Sequence, residues 1–215
     1  MAACVIGACL AGSSPYPPFA PFKCTLQRSF RQKSFSLLSA CLLSLNTKGM
    51  TLFEFTTEKS VQSWYTENDV VMGGVSNSQI SYAESEEPEG VARFSGEVSL
   101  ENNGGFAQVQ YDKTSFDLTG FQGVELHAKG DGQTYQLRLK TNAERVTYAQ
   151  SFTAENEWRR VKLPFSDFEP TFHGEDVPDA PELNVAEIQS VSLYIGDKQE
   201  GKFELLVDEV KAYEG

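Results

Sequence analysis

The sequence predicts an all-β fold, a jelly-roll β-sandwich running from about Met50 to Gly215, and three observations carry that expectation. Apolar and polar residues alternate at a period of two in run after run, which buries one face of a strand and leaves the other wet. Turn residues separate the runs at the spacing of roughly 8–12 residues expected of sandwiches, enough for about nine or ten strands. Helical patterning is scarce.

Strand-like patterning begins abruptly at Thr51-Leu52-Phe53. Thr57 to Trp64 reads as a short helix with Thr57 as its candidate cap, and Asn184 opens a second helical turn. Val124, Leu126 and Ala128 alternate with Glu125, His127 and Lys129, and Tyr135, Leu137 and Leu139 with Gln136, Arg138 and Lys140. Val161, Leu163 and Phe165 continue the pattern, as do Val191, Leu193 and Ile195, and Phe203, Leu205 and Val207 close it. Asn103-Gly104-Gly105, Gly130-Asp131-Gly132, Gly196-Asp197 and Gln199-Glu200-Gly201 supply turns, the second of them reading as a hairpin. Trp64, Phe106, Trp158 and Phe165 read as core residues.

Charge divides the chain in two. Residues 1–49 hold five basic residues, no acidic ones and all four cysteines; the rest carries 13 basic and 30 acidic residues, a net of −17. A domain so acidic repels phosphate backbones and anionic headgroups, so nucleic acid is not an expected partner. No apolar stretch reaches the roughly 18 residues of a membrane span. Without cysteines, the domain has neither disulfides nor a thiolate metal site.

Residues 1–49, rich in Ser and Pro, have the composition of an organelle transit peptide. Equally, they fit sequence upstream of a true start at Met50. The apolar run Phe35 to Leu45 lacks the cleavage site of a secretory signal, and the stretch before Cys41 is too short for a lipoprotein signal. The expected compartment is mitochondrial, or plastid, if the leader is genuine, and cytoplasmic if translation starts at Met50.

Catalytic chemistry finds little support. The two histidines have no nucleophile motif beside them: His127 falls on the polar face of a strand and His173 in a loop. That loop, with Glu175, Asp176 and Asp179, offers oxygens for Ca²⁺ but lacks EF-hand spacing, and reads as an acidic solvated loop. Gly130-Asp131-Gly132 lacks the third glycine and the following helix of a dinucleotide fingerprint. No catalytic residue, metal or cofactor is assigned.

The informative stretch runs from Trp64 to Phe106. It holds Asp69 followed by Met72-Gly73-Gly74-Val75-Ser76, then Phe94-Ser95-Gly96, then Glu101-Asn102-Asn103-Gly104-Gly105-Phe106-Ala107. Later come Gly130-Asp131-Gly132 with Tyr135, Trp158 leading to Leu163-Pro164-Phe165, Phe168 two residues before Pro170, and Asp208. In this combination the chain resembles the complex I intermediate-associated protein 30 family over about Leu52 to Tyr213.

The resemblance implies a galactose-binding-like jelly roll and a non-catalytic, chaperone-like assembly factor. Its partners would be protein subunits of a membrane complex, most directly intermediates of respiratory complex I. The motif residues Asp69, Met72, Gly73, Gly74, Ser76, Asn102, Asn103, Gly104 and Gly105 are the candidate site, as a partner surface or as loop-shaping elements. On physical grounds, the glycine pairs let backbone approach closely, and Asp69, Ser76, Asn102 and Asn103 suit bonds to neighbouring backbone. The alternative is a carbohydrate- or small-ligand-binding module with Tyr111, Tyr148 and Tyr194 as candidate platforms.

Overall fold

The computed structural model describes residues 49–85, 87–141 and 145–215. The segment read as a leader lies outside the described residues except for Gly49. Among the described residues there are thirteen strands, five short 3-10 turns and no α-helix. In chain order the strands are β1 (Gly49–Glu54), β2 (Tyr65–Thr66), β3 (Asn77–Ala83), β4 (Val91–Val98), β5 (Ala107–Tyr111), β6 (Gly123–Lys129) and β7 (Thr134–Thr141). They continue with β8 (Thr147–Thr153), β9 (Arg159–Pro164), β10 (Glu169–Phe172), β11 (Glu175–Asp176), β12 (Ile188–Ile195) and β13 (Gly201–Tyr213).

Two antiparallel sheets form the sandwich. One is ordered β3-β4-β13-β6-β9, with β1 also on β13; the other is β11-β10-β8-β7-β12-β5-β2. The long β13 shares one side between two strands, pairing Gly201–Val207 with β4 and Glu209–Tyr213 with β1.

The alternation read from the sequence is the alternation of the sandwich. Tyr135, Leu137 and Leu139 of β7 face Val124, Leu126 and Ala128 of β6 within one continuous core, all of them almost fully excluded from water. A run of aromatic rings closes one end, where Phe53 lies 4.9 Å from both Trp64 and Tyr111 in edge-to-face contacts.

Several local expectations are revised. The helix at Thr57–Trp64 is only a 3-10 turn, Glu58–Val61, and the Thr57 side chain makes no capping bond. Asn184 does cap its turn, accepting from the Ala186 N–H at 3.2 Å. Gly130-Asp131-Gly132 is not a hairpin, because β6 and β7 belong to different sheets. It is an arch tied down by Asp131, whose carboxylate accepts from the Gln133 and Glu204 N–H groups at 3.1 and 2.8 Å and from the Tyr135 hydroxyl at 3.0 Å. Trp158 is not core; it is half-buried on the outer face of the six-stranded sheet, its ring 5.1 Å from that of His127. Phe165 lies just past the end of β9 and packs on the core edge.

Truncation at the sandwich centre tests this packing. Leu137→Ala is expected to lower unfolding free energy by about 2–5 kcal/mol in urea denaturation, because the cavity has no room to collapse.

Candidate functional site

The family-like motif converges on one buried carboxylate. Asp69 is 0% exposed and forms no ion pair among the described residues. Its oxygens instead accept from the Ser76 N–H at 3.0 Å, the Ser76 hydroxyl, the Gly105 N–H at 2.7 Å and the Phe106 N–H at 3.3 Å. Burial alone would raise its pKa; the bonds from Ser76, Gly105 and Phe106 outweigh that and hold it below the usual value.

Around this carboxylate the glycines have definite tasks. Gly73 turns the chain at φ +93°, and its N–H reaches back to the Val70 carbonyl at 3.0 Å. A methyl group at Gly74 or Gly104 would overlap the Asp69 carboxyl group itself. Ser76 extends the network, accepting from the Ser99 N–H at 2.9 Å. Asn102 and Asn103 contribute differently from the expectation: both are exposed, and they turn the loop at φ 57° and 59° rather than through side-chain bonds.

The hub holds an apolar loop out into solvent. Val70, Val71, Met72 and Val75 are 61%, 74%, 60% and 47% exposed, whereas Asp69 and Ser76, which bracket them, are buried. This loop forms one wall of a cleft of about 350 Å³ on the outer face of the seven-stranded sheet. Opposite stands the β10–β11 hairpin, whose His173 and Gly174 both have positive φ, as a type I′ two-residue turn requires.

The cleft floor is the outward row of β5, β12 and β7. Tyr194 pairs with Gln108 on one side and Gln136 on the other. Its ring stacks with Phe106 at 5.6 Å, and the Arg138 guanidinium lies 3.3 Å from the ring centre. Phe106 is therefore half-buried cleft lining, not core. A polar ladder borders this floor, from Glu67 through Gln108 and Gln110 to the Tyr65 hydroxyl and Asp112. Burial and the adjacent Asp112 push the Tyr65 phenol up to about 12.

The tyrosines considered as glycan platforms are mostly committed elsewhere. Tyr111 packs on Phe53 and Trp64, and Tyr148 is buried with its hydroxyl donating to the Pro181 carbonyl at 2.9 Å. Only Tyr194 reaches the cleft, and it does so beneath Arg138. His127 is held by Asp208, 2.7 Å away, on the opposite sheet. Among the described residues no group of three His, Cys, Asp or Glu side chains is placed to hold a metal ion.

The cleft cations Arg138, Lys140 and Arg145 and the exposed Val71 were not singled out in the sequence. Outward charges on a strand look like a solvated face, and the available signal was that three basic residues fall within eight positions of an acidic domain.

The fold is a jelly-roll β-sandwich of the kind found in carbohydrate-binding modules. The chain is similar to the family 11 module of the Clostridium thermocellum cellulase Lic26A-Cel5E, with TM-score 0.63 and 15% identity over 79% of this chain and 96% of that one. It is also similar to the family 30 module of cellulase Cel9D-Cel44B from the same organism, with TM-score 0.56 and 9% identity over 77% of this chain and 97% of that one.

Residues 53–207 match complex I intermediate-associated protein 30, and the chain belongs to that family. It is 24% identical to the mouse mitochondrial complex I intermediate-associated protein 30, over 73% of this chain and 54% of the mouse protein. An uncharacterised Schizosaccharomyces pombe protein is 29% identical over 70% of this chain and 78% of its own length.

Replacing the hub carboxylate tests its role. Asp69→Asn should cost about 3 kcal/mol or more at neutral pH, since several buried donors lose their charged acceptor. An aspartate whose folded pKa lies below its unfolded value of about 3.9 stabilises fully above that value and loses the contribution as pH falls through the folded pKa. The stability gap between wild type and Asp69→Asn is therefore expected to narrow on acidification below about pH 4. Urea titrations at neutral and acidic pH would measure it; a gap independent of pH would show that Asp69 carries no charge in the fold.

Proposed function

We propose that this protein is a non-catalytic assembly factor that holds an intermediate of respiratory complex I through the outer face of its seven-stranded sheet. The observation that carries this reading is the exposed run Val70-Val71-Met72, fixed at a rigid site by the Asp69 hub instead of being free to fold inward. A loop that keeps large apolar side chains in water at a fixed position is a docking element. Family membership supports the identity of the partner, and the name of the mouse relative supports a mitochondrial location.

Within this reading, Met72 belongs to the contacting tip, while Asp69, Ser76 and the four glycines shape it and Asn102 and Asn103 turn the neighbouring loop. The partner is a protein subunit of a membrane complex; no helix among the described residues is long and apolar enough to cross a membrane by itself. Residues 1–49 are read as a leader and residues 50–215 as the working domain.

The test is native electrophoresis of mitochondrial membranes from cells carrying tagged full-length protein. Wild type should migrate with complex I intermediates. Val71→Ser/Met72→Ser should abolish comigration while leaving the unfolding free energy in urea within about 0.5 kcal/mol of wild type, as expected for exposed positions. Comigration that survives the double substitution, or that never occurs in wild type, would overturn the proposal.

A further inference from the structure

The cleft reverses the charge of the domain that surrounds it. Residues 50–215 hold 30 acidic side chains against 13 basic ones, yet among the described residues that line the cleft, Arg138, Lys140 and Arg145 stand against a single carboxylate, Glu67. None of the three cations forms an ion pair among the described residues, whereas Arg93, Arg160 and Lys211 on the other sheet are all paired. The nearby carboxylates are engaged by neutral amides. Glu67 accepts from Gln108 at 3.3 Å, and Asp197 accepts from Gln136 at 3.2 Å.

Arg138 is also preset in position. Its Nε donates to Gln136 at 2.9 Å and its plane rests over Tyr194. Burial lowers its pKa, but a guanidinium stays charged at any physiological pH. A partly desolvated cation without a counter-charge is unfavourable, and a ligand carboxylate that forks onto it removes that cost. Around these cations the lining is mixed, with Gln108, Thr147 and Thr171 on it, but apolar side chains stand on both walls, Val71 and Met72 on one and Phe172 on the other.

We propose that the cleft binds an acidic peptide segment, with carboxylates on Arg138, Lys140 and Arg145 and an adjoining apolar side chain between Val71, Met72 and Phe172. This deepens the assembly-factor reading, on which it rests, by giving the chemistry of the docked segment. Charge selects the class. A long polyanion such as nucleic acid would meet the domain's net −17 outside the cleft, while a short segment is screened from it beyond about 8 Å at physiological salt. An acidic sugar fits less well, because the Tyr194 ring on which it would stack already carries the guanidinium.

The experiment is fluorescence anisotropy on the full chain with a labelled peptide, acetyl-Glu-Asp-Leu-Glu-Phe-Asp-amide. Its Gln/Asn isostere serves as control and oligogalacturonate as competitor. The acidic peptide is expected to bind, to weaken as salt rises, and to lose affinity by about tenfold or more in Lys140→Glu/Arg145→Glu. Lys140→Gln/Arg145→Gln replaces the reversal if that variant does not keep the wild-type urea midpoint. No binding, equal binding of the isostere, or indifference to the charge variants overturns the proposal. Tighter binding of oligogalacturonate overturns it in favour of an acidic glycan. The two readings separate cleanly. If Val71→Ser/Met72→Ser abolishes comigration with complex I intermediates but the charge variants do not, the acidic-segment proposal falls and the assembly reading stands. If the peptide binds through the cations but wild type never comigrates, the assembly reading falls and the site stands.

Discussion

A carboxylate buried without a cation has to be offset by hydrogen-bond donors, and one end of this sandwich is arranged around that demand. Asp69 draws its donors from its own loop, through Ser76, and from a loop 36 positions away, through Gly105. The two loops connect strands that belong to different sheets, so a single side chain fastens the layers together at that end. Gly74 and Gly104 follow as a steric corollary, since only hydrogen can occupy the space next to the carboxyl group, while their neighbours Gly73 and Gly105 supply the positive φ. The exposed valines and Met72 depend on the same anchor. Beside the loop's own backbone bonds, such as that from the Gly73 N–H to the Val70 carbonyl, this anchor opposes their collapse onto the nearest apolar surface.

The two outer faces differ in how completely their charges are satisfied. On the six-stranded sheet, Glu125 takes both Arg160 and Lys211, and Glu209 shares the same two cations. His127 and Asp208 pair close by, with Trp158 packed on the histidine. The centre of that face is an interlocked ion-pair cluster. On the seven-stranded sheet Arg138 is held by Gln136 and Tyr194, and neither it nor Lys140 or Arg145 forms an ion pair among the described residues. Free energy is available where groups are ordered but unpaired, which is why we propose recognition at the open face.

Legibility in the sequence followed the range of the physics involved. Alternation along β6, β7, β12 and β13 maps directly onto inward and outward faces, because the strand period is fixed by covalent geometry. The motif around Asp69 could be read as loop-shaping, yet the donor at Gly105 was out of view because its proximity is created by the fold. Gly130-Asp131-Gly132 has the chemistry of any tight turn, and whether such a turn returns to the same sheet or crosses to the other depends on the partners of β6 and β7. Phe106 and Trp158 misled for a related reason: a large ring is equally at home in a core or against a half-buried neighbour. Arg138, Lys140 and Arg145 looked like a solvated face, since the absence of a counter-ion is visible only in three dimensions.

The pairing of β1 with the last stretch of β13 sets Gly49 directly opposite Tyr213. Paired residues on antiparallel strands lie about 5 Å apart, so the domain begins and ends at nearly the same point in space. Topologically it is a closed loop with a narrow neck. Such a unit can be spliced into a surface turn of another protein, or its two neighbouring strand ends can be joined and new ones opened elsewhere, with little disturbance to either fold. Asp69 with its donors, and the cleft beside it, would travel with it intact.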